Sequence, residues 1–263
     1  MFLDNESNIM EYLQLCLSSN QVLLYNGNSL EKKVWHCISD LDALRDNSGH
    51  DALPPDYYSS RYSVMFDVMR TNDTEERKTY NPKMGREREM EKELKESGIL
   101  DAVSPDVKVY CNSESSNVDE HSYSKYLKQL NRVVSIHLSS NGHPNKVKDI
   151  WEKEHPDIKY KGLLIFDETE CYYEGLTYYA GGEQFGHTWR ADKPLVLHRP
   201  WEDRNMMRQF YESELDFVVW ACPYKVHSGV TVESKQYYPA VVIIDVRGTR
   251  DKYIKYDEEH LAV

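Results

Sequence analysis

The run Lys161-Gly162-Leu163-Leu164-Ile165-Phe166-Asp167, called the decisive run below, gives the clearest indication of the fold. It is apolar almost to its closing aspartate, as expected for a strand whose sheet is covered on both faces. Residues 215–222 and 240–246 have the same character, and residues 62–70 form the first such strand along the chain. The segments between these runs carry apolar residues at the spacing of a helix. We therefore predict an α/β fold with a mixed, mainly parallel central sheet flanked by helices.

The rest of the chain is organised around these strands. Apolar stripes at helical spacing predict helices over 6–17, 29–44, 121–138 and 201–213, and the first two place a helical section at residues 1–60. Ser29 is the expected N-cap of the second helix. No shift in composition marks a boundary, so we expect one domain over 1–263. Residues 171–200, which include a glycine-rich loop, are interpreted as an insertion or a lid.

Composition narrows the function classes. The 263 residues include 32 Lys+Arg and 44 Asp+Glu, a formal net charge of −12 that disfavours non-specific binding to phosphate backbones. An acidic body with a local basic channel is still compatible with a nucleic-acid enzyme. No apolar run approaches the roughly 20 residues that span a bilayer. The five cysteines are scattered without a CxxC pair, which is typical of reduced thiols in a cytoplasmic protein.

Acidic residues cluster at the ends of the predicted strands. Asp67 lies in the first strand, and Asp167 and Glu168 close the decisive run. Ligands of open α/β sheets gather outside the carboxyl ends of the strands, and carboxylates there supply the oxygen ligands that Mg²⁺ or Mn²⁺ prefers. We predict a divalent-metal-dependent phosphodiesterase that hydrolyses nucleic acid. Metal-activated water attacks the phosphodiester, and Lys78 or Arg70 stabilises the developing charge.

A second pattern overlaps this one. Asp67 is followed, after eight residues, by Glu76-Arg77-Lys78, an acid-x-lysine triplet. This order resembles the signature of the PD-(D/E)XK nuclease superfamily, although Phe66 rather than proline precedes Asp67. The resemblance implies that Asp67 and Glu76 bind the metal and that Lys78 positions the attacking water. A helical acid such as Glu31 would assist.

Two alternatives come from other classes of protein. The order Arg61, Ser139-Ser140, Glu212-Ser213-Glu214 resembles one class of NAD-dependent ADP-ribosyltransferases, in which the last glutamate orients the nicotinamide ribose. The 20 tyrosines and five tryptophans instead suit a non-catalytic module that binds a protein partner, because aromatic side chains are enriched at interfaces. Neither a P-loop nor a dinucleotide fingerprint is present in the sequence.

Overall fold

The computed structural model describes residues 6–18, 21–47, 53–72, 92–93, 95–98, 123–139, 142–169, 173–174, 178–179, 186–187, 196–222, 238–249 and 261–262. The strands are β1 Val22–Leu24, β2 Arg45–Asp46, β3 Tyr57–Ser59, β4 Val64–Thr71, β5 Tyr160–Asp167, β6 Tyr173–Glu174, β7 Tyr178–Tyr179, β8 Gly186–His187, β9 Val196–Leu197, β10 Phe217–Ala221, β11 Val241–Asp245 and β12 Leu261–Ala262. Seven of them form the main sheet in the order β1-β11-β10-β5-β4-β3-β2.

The main sheet is mixed, and the prediction of a mainly parallel sheet is wrong. The pairs β1–β11, β10–β5 and β4–β5 are parallel, whereas β10–β11, β3–β4 and β2–β3 are antiparallel. For β3 and β4 the reason is the short connection between the two strands. Four residues join β3 to β4, and a parallel pair needs a crossover of about a dozen residues or more.

Small antiparallel pairings account for the other described strands. One sheet has the order β12-β6-β9, and the other contains β7 and β8. Most of the segment 171–200, interpreted from sequence as an insertion or lid, lies outside the described residues.

The helices are α1 Glu6–Ser18, α2 Ser29–Ser39, α3 Tyr123–Leu138, α4 Glu152–Glu154, α5 Arg204–Tyr211 and α6 Val246–Thr249. A π-helical turn, Val147–Trp151, leads into α4. The predicted helical section at residues 1–60 contains α1 and α2 but also contributes β1, β2 and β3 to the main sheet. Among the described residues, no helix combines the length and the apolar character that crossing a membrane requires.

The two faces of the sheet bury separate hydrophobic cores. Leu163 and Ile165 of β5 face a core shared with α3 and α5, whereas Leu164 and Phe166 face a core shared with α1 and α2. This division follows from the alternation of side chains along a strand. It explains why the decisive run carries no polar residue between Gly162 and Asp167: each face is covered. The face under α3 is called the α3 face below.

Candidate active site

Asp67 is a buried carboxylate near the middle of β4. It is 3% exposed and lies on the α3 face, between Met65 and Met69 of the same core. The backbone N–H of Asp56 donates to Oδ1 over 3.0 Å, and Nδ1 of His137 lies 3.0 Å from Oδ2. A carboxylate offers about four lone-pair positions, so these two contacts leave it with capacity for further ligands.

His137 belongs to the last turn of α3. Because the carboxylate of Asp67 can only accept, the imidazole donates its Nδ1 proton, which leaves Nε2 as the basic nitrogen. Nε2 has no hydrogen-bond partner within the described part of the chain, and the side chain is 24% exposed. An imidazole oriented by a carboxylate is suited to act as a general base or as a metal ligand.

The pattern of acids at strand ends does not predict His137 as a site residue. The sequence does contain a signal for it: His137 shares the apolar stripe of its helix with Tyr126, Leu130 and Val134, which are buried against the sheet. A titratable side chain on the buried stripe of an amphipathic helix must meet a polar partner on the sheet, because burying it without one is costly. That partner is Asp67.

Asp56 brings a second acidic residue to the same place. It follows Pro55 and precedes β3, and the register Tyr57↔Phe66 places it one position beyond, opposite Asp67. Its Oδ2 accepts from the backbone N–H of Val68 over 2.7 Å. The signal in the sequence is the pair Pro55-Asp56, eleven residues before Asp67. β3 has only three residues, too few to display an alternating pattern.

Asp167 lies on the same face of the sheet but in a closed environment. Its Oδ2 accepts from the hydroxyl of Tyr126 and from Nε1 of Trp220 at 2.9 Å. Its Oδ1 accepts from the backbone N–H of Thr169 at 3.0 Å and from the Thr169 hydroxyl at 2.7 Å. Asp167 is 0% exposed. Burial and then the nearby charge of Asp167 raise the pKa of Tyr126 well above its ordinary value, so that hydroxyl stays protonated.

The structure does not bring Asp67 and Asp167 together. In the register of β4 and β5, Asp67 pairs with Leu163 and Thr71 pairs with Asp167. The two acids are therefore four residues apart along the strands, roughly 13 Å at 3.3 Å per residue. A shared divalent ion requires oxygen ligands within about 2.6 Å. One ion cannot be bound by both carboxylates at this separation.

Arg70 and Glu168 form a pair on the opposite face. Nε of Arg70 donates to Oε1 of Glu168 at 2.9 Å, and one of its terminal nitrogens donates to the same oxygen. Glu168 is nearly fully buried, while the side chain of Arg70 is about one-third exposed. Arg70 alternates with Phe66 and Val68, which pack against α1 and α2, so this pair lies on the other side of the sheet from Asp67.

The remaining predicted residues fall outside the described part of the chain. Glu76 and Lys78 lie in 73–80, so their roles as metal ligand and water-positioning residue stay predictions. Among the residues that the structure describes, no group of three or more His, Cys, Asp or Glu side chains is arranged to hold a metal ion. The buried Glu31 accepts from the backbone N–H groups of Asn26 and Asp245, which ties α2 to the ends of β1 and β11.

Residues of the two alternative readings have local partners. Arg61 pairs with Asp40 at 2.8 Å, and Glu212 pairs with Arg208 one turn away. The Lys148 ammonium beside Glu214 lowers the pKa of that carboxyl. Three of the five tryptophans, Trp151, Trp201 and Trp220, belong to the core and not to a surface.

Comparisons with known proteins identify no relative. No protein-family profile, no curated protein and no solved structure matches the chain. The contacts of Asp67 therefore carry the functional proposal.

Proposed function

We propose that the protein is a divalent-metal-dependent phosphodiesterase, nuclease-like, whose active site is centred on Asp67. One observation carries the proposal: a buried carboxylate contacts both the backbone N–H of Asp56, just before β3, and a partly exposed imidazole. Asp67 has two described hydrogen-bond partners, which leaves lone pairs for a cation. The Asp167 carboxylate, by contrast, is fully used by its neighbours.

The resemblance to PD-(D/E)XK nucleases also includes Asp67, as an aspartate that binds the metal. In that pattern Glu76 is the second ligand and Lys78 positions the attacking water, and both lie outside the residues that the structure describes. Lys78 remains the predicted source of a positive charge.

The residues at this centre suit Mn²⁺ or Mg²⁺. Asp67 and Asp56 offer carboxylate oxygens, the ligands that both ions prefer. A bound divalent ion would polarise a phosphoryl oxygen and lower the pKa of water. Nε2 of His137 would accept the proton of the attacking water, while Asp67 holds the ring in orientation through Nδ1. Nucleic acid is the proposed substrate.

The proposal includes a cytoplasmic location. Cys16, Cys37 and Cys222 are free and buried, as expected for thiols in a reducing compartment. Burial raises the pKa of Cys16, and it raises that of Cys37 to about 12, so these thiols are protonated at neutral pH and chemically quiet.

Mn²⁺ binding and cleavage together test the proposed centre. Calorimetry should show that Asp67→Asn weakens Mn²⁺ binding at least tenfold, and cleavage of circular single-stranded DNA should fall at least a hundredfold. His137→Gln should lower cleavage by roughly 10²–10⁴, the usual contribution of a general base, and change Mn²⁺ binding less. Asp157→Asn, an exposed carboxylate away from the centre, is the matched control. Wild-type protein that neither binds Mn²⁺ nor cleaves, or Asp67→Asn that does both normally, refutes the proposal.

A further inference from the structure

A surface cleft lies at the β2–β3 edge of the main sheet, close to the proposed centre. Its volume is about 470 Å³, and its lining consists of Asp42, Ala43, Arg45, Tyr58, Ser60 and Arg61. Two guanidinium groups in one small cleft stand out on a chain whose net charge is −12. Asp42 is the acidic group of the lining, and Asp40 reaches Arg61 from outside it.

Two residues that line the cleft lie on the same face of the sheet as Asp67. Arg45 pairs with Tyr58, and Tyr58 pairs with Met65, so these three side chains share a face. Asp67 is two residues beyond Met65 on that face. Two strand spacings and two residues separate the Cα atoms of Arg45 and Asp67, roughly 12 Å. One extended ligand can therefore reach from the cleft to the centre.

The cationic side chains of the cleft are available to an anion. Arg45 is exposed, and its side chain has no ion-pair partner among the residues that the structure describes. Arg61 is 69% exposed and uses one terminal nitrogen for Asp40 at 2.8 Å, which leaves its other donors open to solvent. A guanidinium presents a planar fork of donors that matches two oxygens of a phosphate.

Tyr58 adds an aromatic surface between these charges. Its ring is half-buried and lies against the ring of His155, with centroids 4.2 Å apart and planes 35° apart. A ring held in this way loses little freedom when a flat ligand stacks on it. Aromatic rings beside basic groups bind unpaired bases in this manner, with little dependence on base identity.

We propose that this cleft binds a single-stranded segment of nucleic acid, with phosphates at Arg45 and Arg61 and a base stacked on Tyr58. The inference rests on the proposed phosphodiesterase function and adds its substrate class. A single strand fits better than a duplex because bases within a duplex are stacked on each other and cannot reach an aromatic side chain.

Fluorescence anisotropy without metal tests binding separately from cleavage. The probe is a fluorescein-labelled 12-nucleotide oligothymidylate in EDTA, titrated at 50 and 200 mM NaCl. Arg45→Gln should weaken binding and reduce the slope of log K against log salt by about 0.7, the value for one phosphate contact of a single strand. Tyr58→Leu should weaken binding by about 5- to 150-fold, which corresponds to 1–3 kcal/mol for one stacked base. Tyr58→Trp should restore it, and Arg204→Gln, an exposed arginine of α5, is the matched control.

The outcomes separate this inference from the function on which it rests. Asp67→Asn should bind the oligonucleotide like wild type while failing to cleave it. If wild type cleaves but Arg45→Gln and Tyr58→Leu bind and cleave normally, the cleft assignment is wrong and the phosphodiesterase stands. If wild type binds through the cleft but never cleaves, the phosphodiesterase is wrong and the binding site stands. Equal affinity for a 12-base-pair duplex, or no affinity for the oligonucleotide, overturns the single-strand assignment.

Discussion

Asp67 and Asp167 occupy neighbouring parallel strands and face the same helix, yet their surroundings differ completely. Asp167 meets four donors from Tyr126, Trp220 and Thr169 and is sealed from solvent. Asp67 meets two, and one of them belongs to an imidazole that is 24% exposed. Burial alone therefore does not decide whether a carboxylate is available to a ligand. What matters is whether its lone pairs are all engaged.

The largest loss of stability should come from removing the buried carboxylate of Asp167. Asp167→Ala leaves four buried donor groups without this acceptor, and we expect the free energy of unfolding to fall by about 3–5 kcal/mol. Urea denaturation followed by circular dichroism measures it. Asp167→Asn keeps one acceptor oxygen and should lose less, about 1–3 kcal/mol. A loss below 1 kcal/mol for Asp167→Ala would mean that this network does not hold β5, β10 and α3 together.

The stability of the fold at alkaline pH should report on the same network, because Tyr126 belongs to it. Its pKa is raised above the ordinary value of 10.0, so the folded protein keeps a proton that the unfolded chain releases. The stabilisation is complete below pH 10 and is lost as pH rises towards the folded-state pKa, at up to about 1.4 kcal/mol per pH unit. Tyr126→Phe should lose stability less steeply above pH 10.

The comparison of wild type with Tyr126→Phe isolates this tyrosine from other groups. Cys37, whose pKa is raised from 9.0 to about 12, also destabilises the fold at alkaline pH, but equally in both proteins. Urea denaturation at pH 8, 10 and 11 supplies the slopes. Parallel slopes in the two proteins would contradict the buried Tyr126–Asp167 contact.

The smallest loss of stability should come from a substitution of Asp67, whose lone pairs are only partly engaged. Asp67→Asn keeps an oxygen for the N–H of Asp56 and weakens the contact with His137, so we expect a loss of about 0.5–1.5 kcal/mol in the free energy of unfolding. The same urea experiment gives the number. If the loss equals that of Asp167→Ala, then Asp67 stabilises the fold as much as Asp167 does. The contrast between the two carboxylates then disappears.

The sequence predicts the central strands and the covering helix well. The apolar runs around β4, β5, β10 and β11 identify strands within two residues of their observed ends, and the stripe at 121–138 corresponds to α3. These elements are long or strongly apolar, so the periodic signal exceeds the noise of single residues. The N-cap of α2 is displaced by one residue, since Asn28 and not Ser29 accepts from the N–H groups of Leu30 and Glu31.

The orientation and register of the strands lie beyond what the sequence states. An acid at a strand end is visible in the sequence, but whether two such acids share a rim depends on register, and here four residues separate Asp67 from Asp167. Arg70 and Glu168 lie on the opposite face for the same reason, because alternation assigns faces only once the strands are aligned. The strands β2 and β3, next to Asp56, have too few residues to show the alternating pattern of a strand.

The pairing of β1 with β11 has a consequence for synthesis. Val22 pairs with Val241, so β1 cannot pair until roughly 220 further residues have been synthesised. At ordinary elongation rates this takes about 10–40 s. During that interval Leu23 and the adjacent backbone amides are open to wrong associations. A nascent-chain assay with arrest before residue 241 should find this end protease-sensitive, and release of the full chain should protect it.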